Sequence, residues 1–237
     1  PCYFVWAGSD FFNEGSDDIN ARTIIHETGH MLGLDDYYDY DDSDNYNSGG
    51  LGGADMMDYA YGDHNPFSKM LLGWVTPWVV EESMALELLP FVDSGQVILL
   101  IDEWRGTIFD EYILLDFYTP TGLNYADRFD LFTLTGIEIY HVSAAIDNGY
   151  NEDYVYYSIF NNNNTDSPDK LISIVEADMN DHIEDYSLAE NGDLFQVGDV
   201  FGGNIYSSYR WDNNSVIGFD VAIVSIDQEK AVVQIFF

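Results

Sequence analysis

The sequence has little positive charge and almost no cysteine. Lysine and arginine together number 7 against 43 acidic residues, for a net charge of −36 and a sequence pI near 4.1. A surface of that sign repels nucleic acid and anionic membranes. It suits high salt, bound cations or plain solubility, and most of these charges read as a solvated acidic face. Cys2 is the single cysteine, so no internal disulfide forms. No apolar run is long enough to span a membrane, and the residues from Pro1 onward do not read as a signal peptide. The chain opens at Pro1 and goes straight into YFVWAG, so the expectation is a portion whose natural beginning lies upstream. With 46% apolar and 16% aromatic residues, the chain is too rich in core-forming side chains to be a disordered acidic tail.

Two kinds of patterning divide the chain. Residues 3–8 read as a strand. From Asp17 or Asp18 to Leu32 the pattern is helical, with Ile19, Ile24, Ile25, Met31 and Leu32 as its apolar positions and Gly33 as its stop. A loop rich in Asp, Asn and Gly comes next, and NPFSKMLLGW then predicts a second helix, with Asn65 as N-cap, Pro66 as its first residue and Gly73 as its terminator. From about residue 83, short apolar runs alternate with turn signals: MALELLPFV, QVILLIDEW, EYILLDFYT, GIEIYHVSA, YVYYSIF, KLISIVEAD, VIGFDVAIVSI and KAVVQIFF. The expected fold is α+β, with the helices in residues 1–82 and a β-rich, sandwich-like region over residues 83–237.

The chemistry concentrates in HETGHMLGLDD, residues 26–36. Residues four apart share a helix face, so His26 and His30 aim two imidazoles at one point. That is metal-ligand geometry, with zinc the usual occupant. Glu27 stands beside the first ligand, placed to act as a base rather than to ligate. By composition, His-Glu-x-x-His arises by chance in about one in 200 such chains, and with Gly33 and Asp36 also required in roughly one in 10⁴. The competing reading is two histidines on an ordinary helix.

The stretch resembles the extended metzincin signature, His-Glu-x-x-His-x-x-Gly-x-x-His/Asp. Its aspartate form looks like the immune inhibitor A family of secreted bacterial metallopeptidases, and snapalysin-like proteases share it. GGADMMDYAYGDHNPFSKMLLGW resembles the segment that comes after the zinc motif in that family. EYILLDFYTPTG, GIEIYHVSA, VEADMND and NGDLF resemble its β-rich region. The resemblance implies a zinc endopeptidase, secreted and bacterial, with a protein or peptide substrate, and it makes residues 1–82 part of the catalytic domain. It implies His26, His30 and Asp36 as zinc ligands, Glu27 as catalytic base, Met57 in the Met-turn with Met56 as a rival, and Tyr59 near the metal. Geometry favours Asp36 over Asp35 as well: neighbours in an extended segment point opposite ways, so a buried Leu34 leaves Asp36 facing the histidines. The chain departs from the family pattern at Asp35, where proline is frequent, and at Ser143, where aspartate is. Only about 25 residues precede His26, room for little beyond one strand of the sheet that metzincins carry there.

Other candidates are weaker. The DYYDYDDSDN loop offers oxygen ligands for calcium, though it is no EF-hand, and a solvated acidic loop is slightly the better reading of it. His64 suits a cap or turn, His141 reads as a satisfied strand histidine, and His182 shows no partner pattern. Two alternatives to the peptidase stay open: a non-catalytic surface-binding module with a structural metal, and a zinc hydrolase of another amide or ester. Oligomeric state is not legible.

Overall fold

The computed structural model describes residues 21–39, 50–60, 62–129, 131–146, 160–165, 169–180, 182–183, 188–203 and 209–237. The predicted strand at residues 3–8, the start of the first helix, the run YVYYSIF up to Ser158–Ile159 and nearly all of the acidic loop at 39–47 lie outside them.

The mixed α+β class holds, with far more sheet than helix. Helix α1 spans Arg22–Leu32 and α2 spans Pro66–Leu71. Asn65 caps α2 as its sequence predicts, with its side chain accepting from the Ser68 N–H at 2.9 Å. A third helical turn, α3, covers Phe91–Ser94. Among the described residues, nine strands succeed one another as β1 Trp78–Val80, β2 Met84–Leu88, β3 Val97–Leu100, β4 Glu111–Tyr118, β5 Gly136–Ser143, β6 Ile172–Ile174, β7 Val200–Gly202, β8 Asp220–Ile226 and β9 Ala231–Phe236. The strands β1 and β7 were not anticipated. At three residues each, they stand in apolar stretches too brief to show a period of two, whereas β6, equally short, sits within the longer run KLISIVEAD.

The strands form two sheets. One is five-stranded in the order β1-β3-β4-β5-β6, and the other is four-stranded in the order β2-β9-β8-β7. Among the described residues, only the β1–β3 pairing is parallel. The strand β1 lies before residue 83 and β3 after it, so the larger sheet draws on both parts of the chain.

Burial shows how the layers stack. In β9 exposure alternates along the strand, as expected of a sheet with one covered face. In β4 every residue from Tyr112 to Tyr118 is buried, which requires cover on both faces. Ile98, Leu100, Ile113, Leu115 and Ile139 pack with Val221, Ile223, Val233 and Ile235 of the smaller sheet. Leu99, Leu114, Tyr140 and Val142 point the other way, into a core shared with Leu34, Tyr37, Met57, Phe67 and Met70. The larger sheet is therefore the middle layer, and its far side is the floor beneath the HETGH segment.

Candidate metal centre

His26 and Gly29 lie buried on the inner face of α1. The helix ends at Gly33, whose φ of 101° is left-handed, a conformation glycine reaches without a Cβ penalty. Its N–H bonds the His30 carbonyl at 3.0 Å, and the Leu34 N–H bonds the Gly29 carbonyl at 3.1 Å. This is the Schellman closure. Leu34, 3% exposed, is thereby driven into the core, and the chain turns back along the histidines.

The reversal brings Asp36 to both rings. Its Oδ1 lies 2.9 Å from His26 Nε2 and 3.0 Å from His30 Nε2, and the two Nε2 atoms are 3.2 Å apart. Asp35 is half-buried and is not a member of this group. Each ring is oriented from behind. His26 Nδ1 meets the Met56 carbonyl at 2.7 Å, and His30 Nδ1 meets the Leu34 carbonyl at 2.9 Å. A carbonyl only accepts, so each Nδ1 carries the proton and each neutral ring turns an Nε2 lone pair inward. The donor set fits zinc. Ligand bonds of about 2.0–2.1 Å in a tetrahedral shell place donors roughly 3.3 Å apart, close to the spacings found.

Without a cation the cluster favours protonation. The hydrogen bond to Asp36 leads the causes that raise His30 to about 9, and the Leu34 carbonyl and the charges of Asp36 and Glu27 add to it against desolvation. For His26 burial opposes the charge, but Asp36 and the Met56 carbonyl outweigh it, and its pKa is raised. Metal and protons therefore compete for the same lone pairs.

Beneath α1 lies the loop that carries Met57. Met57 is fully buried, and its Sδ sits where a side chain on Gly29 would stand: a Cβ added there would lie 2.4 Å from it. Met56 contributes differently, through the carbonyl that holds His26. Buried carboxylates shape this loop. Asp55 accepts from the Met57 and Asn65 N–H groups, each at 2.6 Å, and Asp58 accepts from those of Leu51 and Gly53 at 2.9 and 2.7 Å. Burial raises the pKa of Asp55 to about 7 and that of Asp58 to about 6, against those same hydrogen bonds. The Met57 carbonyl then receives the Tyr37 N–H at 3.0 Å, tying this loop to the segment that delivers Asp36.

The remaining candidates are dispersed. Glu27 is half-buried on α1, and its charge reaches His30. Tyr59 is 59% exposed. His64 is buried against Trp74, with ring centroids 5.9 Å apart. His141 contacts Glu111 at 2.9 Å, in keeping with its reading as a satisfied strand histidine. His182, which showed no partner pattern, lies 2.6 Å from Glu176 and 3.6 Å from Asp193. Three groups of metal-ligand type exist among the described residues: His26/His30/Asp36, Glu176/Asp178/His182/Asp193 and Glu111/His141/Asp212. Neither of the last two is visible in the sequence: Glu111, His141 and Asp212 come from two strands and a distant loop, and Glu176, Asp178 and His182, close in the chain, meet Asp193 only through folding. Comparison with protein-family models, with curated proteins and with solved structures finds no match.

Proposed function

We propose that this protein is a zinc-dependent endopeptidase of metzincin type, similar to the immune inhibitor A family and secreted from a bacterial cell. The observation that carries the reading is the convergence of His26, His30 and Asp36 at mutual donor distances of 2.9–3.2 Å. The buried methionine packed against Gly29 supports it. So does the size of the donor group, which numbers three side chains among the described residues, since structural zinc sites are usually closed by four protein ligands.

Bound zinc supplies Lewis acidity, polarising a carbonyl and acidifying water. The chain's own residues do the rest. The carbonyls of Met56 and Leu34 hold the two imidazoles in one tautomer and orientation. Asp36 adds a negative charge that three neutral imidazoles would not, leaving the centre less electrophilic and more dependent on a base. Glu27 is that base: its carboxylate takes a proton from water and returns it to the leaving amine.

The test is cleavage of casein and of a peptide library by the purified protein, with and without a zinc chelator. Chelator-sensitive cleavage restored by zinc is the expected result. Zinc binding without hydrolysis of any peptide would overturn the reading and favour a binding module with a structural metal. Hydrolysis confined to non-peptide amides or esters would favour the other hydrolase class.

A further inference from the structure

A second group of ligand-type side chains stands apart from the histidine pair of α1. Glu176 and Asp178 come after β6, His182 lies a few residues on, and Asp193 closes the 3-10 turn Asn191–Asp193. One ligand atom from each lies within 4.8 Å of all the others. Backbone geometry holds the group in place. The N–H groups of His182 and Ile183 bond the two Glu176 oxygens, each at 2.9 Å. The Glu190 N–H bonds Asp193 Oδ2 at 2.7 Å, and the Asn180 N–H bonds Asp178 Oδ1 at 3.0 Å.

A cluster of acids alone would mean little on so acidic a chain, but Asp193 is a different observation. Its side chain has no exposed surface, and its Oδ1 has no hydrogen-bond partner among the described residues. An ionised carboxylate buried in that way is costly unless a positive charge meets it. His182 is the one cationic candidate in the group, and it already contacts Glu176 at 2.6 Å while standing 3.6 Å from Asp193 Oδ2. Three carboxylates against one imidazole leave an excess of negative charge even when His182 is protonated.

We propose that Glu176, Asp178, His182 and Asp193 bind one divalent metal ion, distinct from the zinc proposed at His26, His30 and Asp36. An oxygen-rich set with a single imidazole suits a hard or borderline ion, of which Ca²⁺ and Mn²⁺ are the representatives to test. The role is structural. The Ala189 N–H bonds the Gly52 carbonyl at 2.8 Å, and the side chain of Leu188 lies over Gly53. Gly53 is itself held by Asp58, in the loop that leads to Met57. An ion that fixes Asp193 therefore holds the 188–193 segment down on that loop. The site does not depend on the peptidase reading.

The experiment measures Ca²⁺ and Mn²⁺ binding to the metal-stripped protein by calorimetry, at constant zinc, with melting temperatures recorded in parallel. One equivalent of Ca²⁺ or Mn²⁺ is expected to bind and to raise the melting temperature beyond a sodium chloride control of equal ionic strength. Asp193→Asn should weaken binding at least 100-fold, and Asp178→Asn gives the same reading should the first variant not fold. The double variant His26→Ala/His30→Ala should keep this site. A larger loss for Mn²⁺ than for Ca²⁺ in His182→Gln would support direct ligation by the imidazole. Unchanged binding in both aspartate variants, or a melting rise matched by sodium chloride, would overturn the proposal.

Discussion

Met57 occupies the space that a side chain at Gly29 would fill, with its Sδ 2.4 Å from the position of the absent Cβ. Gly29 lies between the two histidines in sequence, and the contact joins α1 to the loop beneath it. Replacing Gly29 with alanine should gain about 1 kcal/mol of helix propensity and cost roughly 1–3 kcal/mol of overpacking, so the strain wins and the variant should melt lower. Met57→Ala should cost about 2–5 kcal/mol by leaving a cavity. The pair Gly29→Ala/Met57→Ala should be less destabilised than the two singles combined, because the alanine methyl then enters space the sulfur has left. Denaturant unfolding of the four proteins tests this, and strict additivity would mean that the two residues do not share that space.

Glu27→Gln should keep its zinc and lose activity by about 10²–10⁴-fold, the usual worth of a general base. Zinc content and turnover, measured on the same preparation, separate the roles. Near-normal turnover in a protein that is active as wild type would remove Glu27 from the mechanism.

Asp36→Ala should weaken zinc binding by orders of magnitude, since it deletes the carboxylate that stands 2.9 and 3.0 Å from the two Nε2 atoms. Asp35→Ala should leave zinc binding nearly intact. Titration of both variants against a competing chelator gives the ranking, and the reverse order would reassign the third ligand.

Asp116 gives a pH signature. It is 1% exposed in the middle of β4, its Oδ1 has no hydrogen-bond partner among the described residues, and burial raises its pKa to about 8, with Lys69 opposing and Asp63 adding. The folded value lies above the ordinary 3.8, so this group's stabilising contribution is complete below about pH 4. It is lost as pH rises toward 8, where the folded state must also ionise. Asp116→Asn removes that loss. The variant should gain melting temperature relative to wild type as pH goes from 4 to 8, and a constant offset over that range would show that Asp116 does not titrate as described.

Some of this was legible in the residues themselves. His26 and His30 had to share a face because any α-helix places residues four apart together, and Gly33 had to end that helix because the chain reversal after Leu32 needs a left-handed residue. Asn65 and Pro66 announced the start of α2 by local hydrogen bonding and a preset φ. The runs that became β2, β3, β4, β5, β6, β8 and β9 were visible for the same reason, since each depends on its own neighbours. The strands β1 and β7 stand in apolar stretches too brief to carry a pattern, and unlike the equally short β6 they have no longer run such as KLISIVEAD around them.

The rest belongs to distance in the chain. That β4 is buried on both faces results from two separate layers closing on it, a fact no single strand encodes. His26 is aimed by the carbonyl of Met56, thirty residues away, and Gly29 is small because Met57 comes to rest there. His182 acquires Glu176 and Asp193 only when the connection between β6 and β7 folds back on itself. Local sequence determined the elements, the zinc-type motif and where its turn falls, because those rest on bonds within a few residues. Tertiary packing alone decided which carbonyl, carboxylate or sulfur stands beside each of them, because those contacts form only when remote segments bury their apolar faces together.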